Sequence, residues 1–242
     1  MQRTISAMVG KGSVNHNSRK FRAENVDGTR THLNIDYCNE NIKTVYHELF
    51  DEALERYNAK QIRSDRKIKD YYEKIRSSKQ EKPFHEIILQ VGGKGNMNAD
   101  TENGELAKQI LDEYYQGFQE RNPQLRVFSA HLHMDEATPH LHIDFVPFTT
   151  GSKRGLDTRV SLKQALATQG FKGGSRGDTE WSQWVQSEKE QLAAVMERYG
   201  IEWEHKGTHE KHLSVLDYKK QEREKEVAVL GETIEQKQVE LE

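Results

Sequence analysis

Apolar positions along this chain recur at two periods, and the switches between them predict its elements. Residues 4–9 are a short, mildly apolar run before a glycine, which predicts a strand, with a polar loop over 10–17 behind it. Leu33, Ile35 and Tyr37 alternate within 32–37 and predict a second strand. Ile42, Val45, Tyr46, Leu49, Phe50, Ala53, Leu54 and Tyr57 then recur at helical spacing, the mark of an amphipathic helix. The stretch 60–82 reads as loop and then helix up to Pro83, and 84–91 is a strongly apolar strand ended by Gly92-Gly93-Lys94-Gly95. Leu106, Ile110, Tyr114 and Phe118 line the next helix, stopped at Asn122-Pro123. Two strands follow, 125–133 and 140–148, around the turn Asp135-Glu136-Ala137-Thr138-Pro139. Residues 161–168 predict a short helix and 172–177 a basic glycine-rich loop. Trp181, Trp184, Val185, Leu192, Val195 and Tyr199 share one face of a long helix, capped by Asp178 and stopped by Gly200, so both tryptophans are read as core.

Strands, helices and an antiparallel hairpin in this order predict an α+β fold, an antiparallel β-sheet with helices packed on its faces. From about Leu213 the sequence becomes charged. Val227, Leu230, Ile234 and Leu241 keep a- and d-like spacing, but Lys220, Arg223 and Lys237 interrupt the series, so a coiled coil is weakly specified. The expected division is a domain over 1–210 and a charged C-terminal helix over 211–242. That helix is expected to open a longer helical region and is a candidate homodimer contact.

Composition narrows the classes. Apolar content of 34% against 31% charged residues gives a very polar surface without implying disorder. Cys38 is the lone cysteine, which excludes an internal disulfide framework and a cysteine zinc site, and points to a reducing, cytoplasmic setting. The first ten residues are too polar for a signal peptide, and no apolar run approaches the ~20 residues of a membrane span. The formal charge of −3 conceals basic blocks, Arg3, Lys11, Arg19, Lys20, Arg22 and Arg30 at the start and the 60–82 stretch further on. A local basic surface binds phosphates even on a chain that is acidic overall.

The chemistry concentrates between 133 and 142. His140 and His142 are two apart on a strand and point to one face. His133 lies just across the turn, so a hairpin brings a third imidazole alongside. Three convergent imidazoles suit Zn, Mn, Fe, Co or Ni, and three ligands leave positions open for phosphodiester oxygens. His131 and Asp144 share the ligands' strand faces and read as a surface histidine and a supporting or exposed carboxylate. Asp135 and Glu136 are each a fourth ligand, a base or a turn-former. Near the N-terminus, His16-Asn17-Ser18-Arg19 sets an arginine one helical turn from a histidine. A neutral ring nitrogen attacks phosphorus, and a guanidinium beside it steadies the phosphate oxygens. Gly92-Gly93-Lys94-Gly95-Asn96 lacks nucleotide-loop spacing, so no small-molecule cofactor is expected.

Three motifs together, His16-Asn17-Ser18-Arg19, His32-Leu33-Asn34 and His133-Met-Asp-Glu-Ala-Thr-Pro-His-Leu-His142, resemble those of the MobV relaxases, the Mob/Pre plasmid mobilisation and recombination proteins. The resemblance runs over roughly residues 1 to 220. It implies a histidine-hydrophobe-histidine endonuclease fold and a metal-dependent, sequence-specific DNA strand transferase. Such enzymes nick one strand at a plasmid origin of transfer, stay attached to the 5′ phosphate and later rejoin the ends. It implies Mn or Mg on His133, His140 and His142, His16 as nucleophile with Arg19 in support, and Glu136 as the residue that activates or orients it. The implied partners are origin-of-transfer DNA, single-stranded or hairpin, and a conjugation coupling protein. Lys67, Lys69, Lys74, Arg76 and Arg154 are candidate phosphate contacts along a basic groove. The chain departs from the family pattern after His32-Leu33-Asn34, where Ile35 replaces an aromatic and Tyr37 follows two residues on. Tyr37, Tyr71 and Tyr72 are therefore rival nucleophiles. The rival functions are a rolling-circle replication initiator or transposase with a tyrosine nucleophile, a metal-dependent phosphodiesterase using water, and a DNA-binding repressor with a structural metal.

Overall fold

A computed structural model describes residues 1–205 throughout and, beyond them, Lys220, Arg223, Glu224, residues 226–231 and Ile234, all helical. The chain divides into two units, Met1–His205 and residues 206–242. In the second, Val227, Leu230 and Ile234 are exposed, and Leu241 and Lys237 of the predicted series lie outside the described residues.

The first unit is built on one antiparallel sheet. Its strands are β2 (Ile5–Val9), β3 (Ile35–Asn39), β4 (His85–Val91), β5 (Leu125–His133) and β6 (His140–Thr149), in the order β2-β4-β6-β5-β3, with β7 (Arg159–Val160) paired to β6. A separate parallel pair, β1 (Gln2–Arg3) with β8 (Glu202–Trp203), ties the N-terminus to the end of the unit. The sheet is covered on both faces, as expected for α+β packing. On one face Leu125, Val127, Ala130, Leu132, Leu141, Ile143 and Phe145 pack against α4 (Glu102–Gln116), α5 (Phe118–Arg121), α6 (Leu162–Thr168) and α7 (Glu180–Arg198). On the other, Phe128 and Val146 pack against α2 (Ile42–Ala59) and α3 (Tyr71–Arg76).

One irregularity decides which way the histidines point. The β5–β6 register shifts between Val127 and Ser129. A bulge adds one residue and reverses the alternation beyond it. Val127 before the shift and Ala130 and Leu132 after it therefore share the first face. His131 and His133 turn to the second, where β6 presents His140, His142 and Asp144 ahead of Val146.

Local structure differs from the sequence reading in four places. The predicted loop 10–17 contains a short helix, α1 (Val14–Asn17). The predicted strand 32–37 begins later, because residues Thr31–Leu33 form a 3-10 turn and β3 starts at Ile35. The helix through Phe118 is broken at Gly117 into α4 and α5. The cap of α7 is Thr179, not Asp178, in a reciprocal capping box with Ser182.

On the face of α7 that holds Trp184 and Leu192 lies a buried carboxylate, Glu188. It accepts hydrogen bonds from Tyr114 Oη, from Asn122 Nδ2 at 3.0 Å and from Arg121 Nη2 at 3.2 Å. Asn122 Oδ1 in turn accepts from Trp184 Nε1 at 2.7 Å. Removing the acceptor strands the buried Tyr114 hydroxyl and takes one bond each from Asn122 and Arg121, which keep the Phe118 and Tyr114 carbonyls. Glu188→Ala is expected to lower the stability to urea unfolding by about 3 kcal/mol, far more than an exposed Glu→Ala on the same helix.

Candidate active site

The hairpin places His133 directly opposite His140, and His131 opposite His142. The ring centroids of His133, His140 and His142 lie 4.7 to 5.2 Å apart. One ring nitrogen from each falls within 4.8 Å of the others. The opposite nitrogen of every ring is tied back to the protein. His133 Nε2 donates to the Asn17 carbonyl at 2.8 Å, His140 Nδ1 to the Thr138 carbonyl at 2.8 Å, and His142 Nδ1 to Glu86 Oε1 at 2.6 Å. These acceptors fix each tautomer and leave a lone pair on the inward nitrogen. His133 Nδ1 and His142 Nε2 are buried without a hydrogen-bond partner, and His140 Nε2 faces Glu136 Oε1 at 3.7 Å. Burial, followed by the neighbouring imidazoles, pushes His133 far below the ordinary histidine range, and burial brings His142 down to about 4. Buried orphan lone pairs on neutral rings are costly unless something completes them. The donor set fits a divalent transition ion.

His16 stands over this cluster on α1, its ring centroid 6.1 Å from that of His133 and 6.2 Å from that of His142. Its Nε2 lies 3.4 Å from Glu136 Oε1 and 3.3 Å from Arg19 Nη1. Arg19 follows α1 with φ 55°, the single non-glycine in the left-handed region among the described residues. That backbone turn folds the guanidinium back under α1. There Asp135 grips it through Nε (3.0 Å) and Nη2, Glu136 Oε1 accepts from Nη2 at 2.9 Å, and Nη1 turns to His16. Burial alone would raise the Glu136 carboxyl. The hydrogen bond from His16 and the charges of His140 and Arg19 outweigh it and hold the group at about 2, so it is an acceptor at neutral pH. Of the uses left open for the turn acids, Asp135 is the clamp. Fully buried, it also accepts from Thr31 Oγ1 at 3.0 Å and Asn34 Nδ2 at 2.8 Å. In the His32-Leu33-Asn34 motif, Asn34 reaches the site, whereas His32 is exposed and bonds the Thr29 carbonyl.

Three further side chains enter that the sequence reading passed over or placed differently. Glu86 is a carboxylate inside an apolar strand, and that misfit was the available signal. Its Oε1 takes His142 Nδ1 and Asn17 Nδ2, and its Oε2 takes the Gly12 N–H at 2.7 Å. Burial would raise it, but these hydrogen bonds keep it below the usual carboxylate range. A Cβ on Gly10 would lie 1.8 Å from Glu86 Oε2, so the loop requires glycine there. His131 is buried rather than on the surface, because the register shift turns it to the covered second face beside His133. It joins Asp36 Oδ1 at 2.6 Å to Ser129 Oγ at 3.2 Å. Asp144 is fully buried and takes Asn17 Nδ2 and Ser129 Oγ, both at 3.0 Å.

Burial and the nearby Glu86 charge push the Asp144 carboxyl from 3.8 to about 7. The folded chain therefore takes up a proton that the unfolded chain releases. The stability this contributes is present at low pH and lost as pH rises from about 4 to about 7. Asp144→Asn keeps the acceptor oxygen and removes the titration. In urea unfolding with chelator, the stability difference is expected to grow in the variant's favour across that window and level off above it.

The rival tyrosines have other partners. Tyr37 stacks on Tyr115 at 4.0 Å and donates to Asp112 Oδ1 at 2.7 Å, and burial pushes its hydroxyl up. Tyr71 is buried against Phe50 and accepts the Val160 N–H, and Tyr72 meets Tyr46 edge-on. The basic candidates sit in the layer covering the histidine-bearing face. Lys67, Lys69 and Lys74 line a shallow groove with Asp70 and Ser77. Arg76 is paired with Glu73 at 2.7 Å. Arg154 is exposed on the loop that α2 holds through Arg56–Asp157. Trp184 is fully buried in the core, and the half-buried Trp181 packs beside it.

A family model for plasmid recombination enzymes, Mob_Pre, matches residues 13–220. The plasmid recombination enzyme of a Bacillus species is 25% identical over 238 residues, 96% of this chain and 48% of that protein. The type 2 enzyme of Staphylococcus aureus (strain Mu50 / ATCC 700699) is 26% identical over 97% of this chain and 48% of its own length. The chain thus spans about half the length of these curated relatives. Among solved structures, the Mn-bound relaxase domain of MobM on plasmid pMV158 oriT DNA superposes with TM-scores of 0.53 and 0.54 in two crystals. Identity is 20%, covering 90% of this chain and 98% or 99% of the other, and the likeness is one of fold.

Proposed function

The chain belongs to the plasmid recombination enzyme family, Mob_Pre, and on that premise we propose that it is a relaxase acting in the cytoplasm. It nicks one strand at a plasmid origin of transfer by transesterification and later rejoins the ends. The observation that carries this reading is the triad's arrangement beside His16, with three inward lone pairs fixed by outer hydrogen bonds and a histidine held between Glu136 and Arg19.

In this reading His133, His140 and His142 hold a Mn or Mg ion. That ion would supply Lewis-acid polarisation of the phosphate oxygens and a template for the scissile group. Glu136 accepts the Nε2 proton of the protonated His16 ring and leaves a lone pair there, with the other proton on Nδ1. His16 Nε2 attacks phosphorus; an N–P bond forms and the P–O3′ bond breaks. The departing 3′ oxygen takes the proton from Glu136, so the carboxylate is restored and the 5′ phosphate is carried on His16. Reversal by a 3′ hydroxyl reseals the strand, and no ATP is required. Arg19 fixes the Glu136 carboxylate and offers Nη1 to charge gathering near His16. Lys67, Lys69, Lys74, Arg76 and Arg154 are the proposed backbone contacts for single-stranded or hairpin DNA.

The test is to incubate supercoiled plasmid carrying the origin with the protein and Mn, and then denature. The expected product is an open circle with protein on the 5′ end of the nick. A free 5′ phosphate would identify a hydrolase, and uncut plasmid a binding module, and either would overturn the proposal.

A further inference from the structure

Asn17, directly after His16, is the buried residue of α1 and 2% exposed. Its backbone carbonyl accepts from His133 Nε2 at 2.8 Å. Its side-chain amide donates twice, to Glu86 Oε1 at 2.8 Å and to Asp144 Oδ2 at 3.0 Å. The same Glu86 Oε1 accepts from His142 Nδ1. One residue therefore supports one triad ring directly and holds the support of a second, and the ring that stands over them belongs to its chain neighbour. We propose that Asn17 is a positioning residue that sets the separation and orientation of His16 relative to the triad. The proposal rests on the reading of His16 and the triad given above.

The chemistry at this point selects asparagine. Two buried carboxylates, Glu86 and Asp144, face one position and need two N–H donors on a short, uncharged stem. Aspartate would set a third acceptor against them. Alanine would leave both facing each other with no donor between. Serine keeps one donor. The loop is already committed to this geometry at its other end, where the Gly12 N–H holds Glu86 Oε2. The Asn17 N–H is bonded to the Ser13 carbonyl at 3.0 Å, so the backbone is anchored while the amide does the aligning.

The experiment uses the whole chain with Asn17→Ala, Asn17→Ser and Asn17→Asp. Mn binding is read by electron paramagnetic resonance without DNA, single-turnover adduct formation at saturating DNA, and DNA affinity separately. For Asn17→Ala the adduct rate is expected to fall ~100-fold, the scale of a 1 Å misplacement. Mn affinity is expected to fall ~10-fold, as when a ligand loses its outer support. DNA affinity is expected to hold. Asn17→Asp should be no better although it is isosteric, and Asn17→Ser should fall between wild type and alanine, giving the same readouts if the alanine variant does not fold. A wild-type rate and Mn affinity in Asn17→Ala, or in Asn17→Asp, overturn the inference. His16→Ala and His142→Ala run beside them. If the first still forms adduct, or the second still binds Mn like wild type, the underlying reading falls and this inference with it. If those controls behave while the Asn17 variants are indifferent, this inference alone fails.

Discussion

His16→Ala is expected to abolish the covalent protein–DNA adduct, lowering strand cleavage by a factor on the order of 10⁴ or more, the scale of losing a nucleophile. The variant is expected to fold and bind Mn as the wild type does. His16 contributes no hydrogen bond to the three triad rings, whose outer nitrogens are tied to Asn17, Thr138 and Glu86. Its side chain is 22% exposed, so truncation leaves no sealed cavity. The adduct's chemistry gives an independent check. A phosphorus–nitrogen bond to histidine is cleaved by mild acid, whereas a tyrosine phosphodiester survives it. Adduct that forms in the wild type and disappears on acid treatment supports His16. Acid-stable adduct, or adduct retained in His16→Ala and lost in Tyr37→Phe, would move the nucleophile elsewhere. Glu136→Gln separates activation from attack. The amide keeps the shape but does not take the proton, so a loss of roughly 10²–10⁴-fold is expected.

The positions of His140 and His142 were legible because strand period leaves no choice about their shared face, and the turn between 133 and 140 made His133 their neighbour. What no period announces is the bulge beyond Val127. Leu125, Val127, Ala130 and Leu132 all face one core, which no uninterrupted alternation allows. Phe128 faces the second core and its neighbour Ser129 bonds Asp144 on that same face, and a polar residue there leaves no apolar mark of the shift in the sequence. The groups that support the triad were less legible for a different reason. Glu86 and Asn17 are 69 residues apart and meet only because β4 pairs with β6 and α1 packs over both. Their roles are tertiary, and a lone Glu or Asn carries no local signature of them. Asp135 and Glu136 show the same limit at close range. The turn sequence left both as ligand, base or turn-former, and only Arg19, reversed by its left-handed backbone, assigns one to the clamp and leaves the other beside His16. Thr179 rather than Asp178 caps α7 for a local reason, since both are good caps and only Thr179 has a serine three residues on to reciprocate.

Added Mn is expected to raise the thermal and urea midpoints of the DNA-free chain, by about 2.7 kcal/mol of stability when free Mn exceeds its Kd 100-fold. The gain follows from the buried lone pairs of His133 and His142, which the fold holds neutral and has nothing else to satisfy. Imidazole donors should favour Mn over Mg, which prefers oxygen ligands and keeps its waters. His142→Ala is expected to remove the Mn-dependent stabilisation and the adduct together. Glu86→Gln, which retains an acceptor oxygen but loses the charge that polarises His142, should weaken Mn roughly 10- to 100-fold. The pH dependence gives the sign. His142 titrates near 4 in the fold against 6.5 when free, so without metal the unfolded chain binds the extra proton first and stability from this group is lost as pH falls from about 6.5 to about 4. Asp144 acts in the opposite direction over nearly the same range, so the two offset in the metal-free wild type. In Asp144→Asn that offset is gone, and with His133 also held far below the ordinary histidine range, metal-free stability should fall steeply on acidification. Mn should oppose that fall until His142 itself is protonated. A midpoint indifferent to Mn, or a His142→Ala variant that Mn stabilises like wild type, would place the metal somewhere other than these three rings.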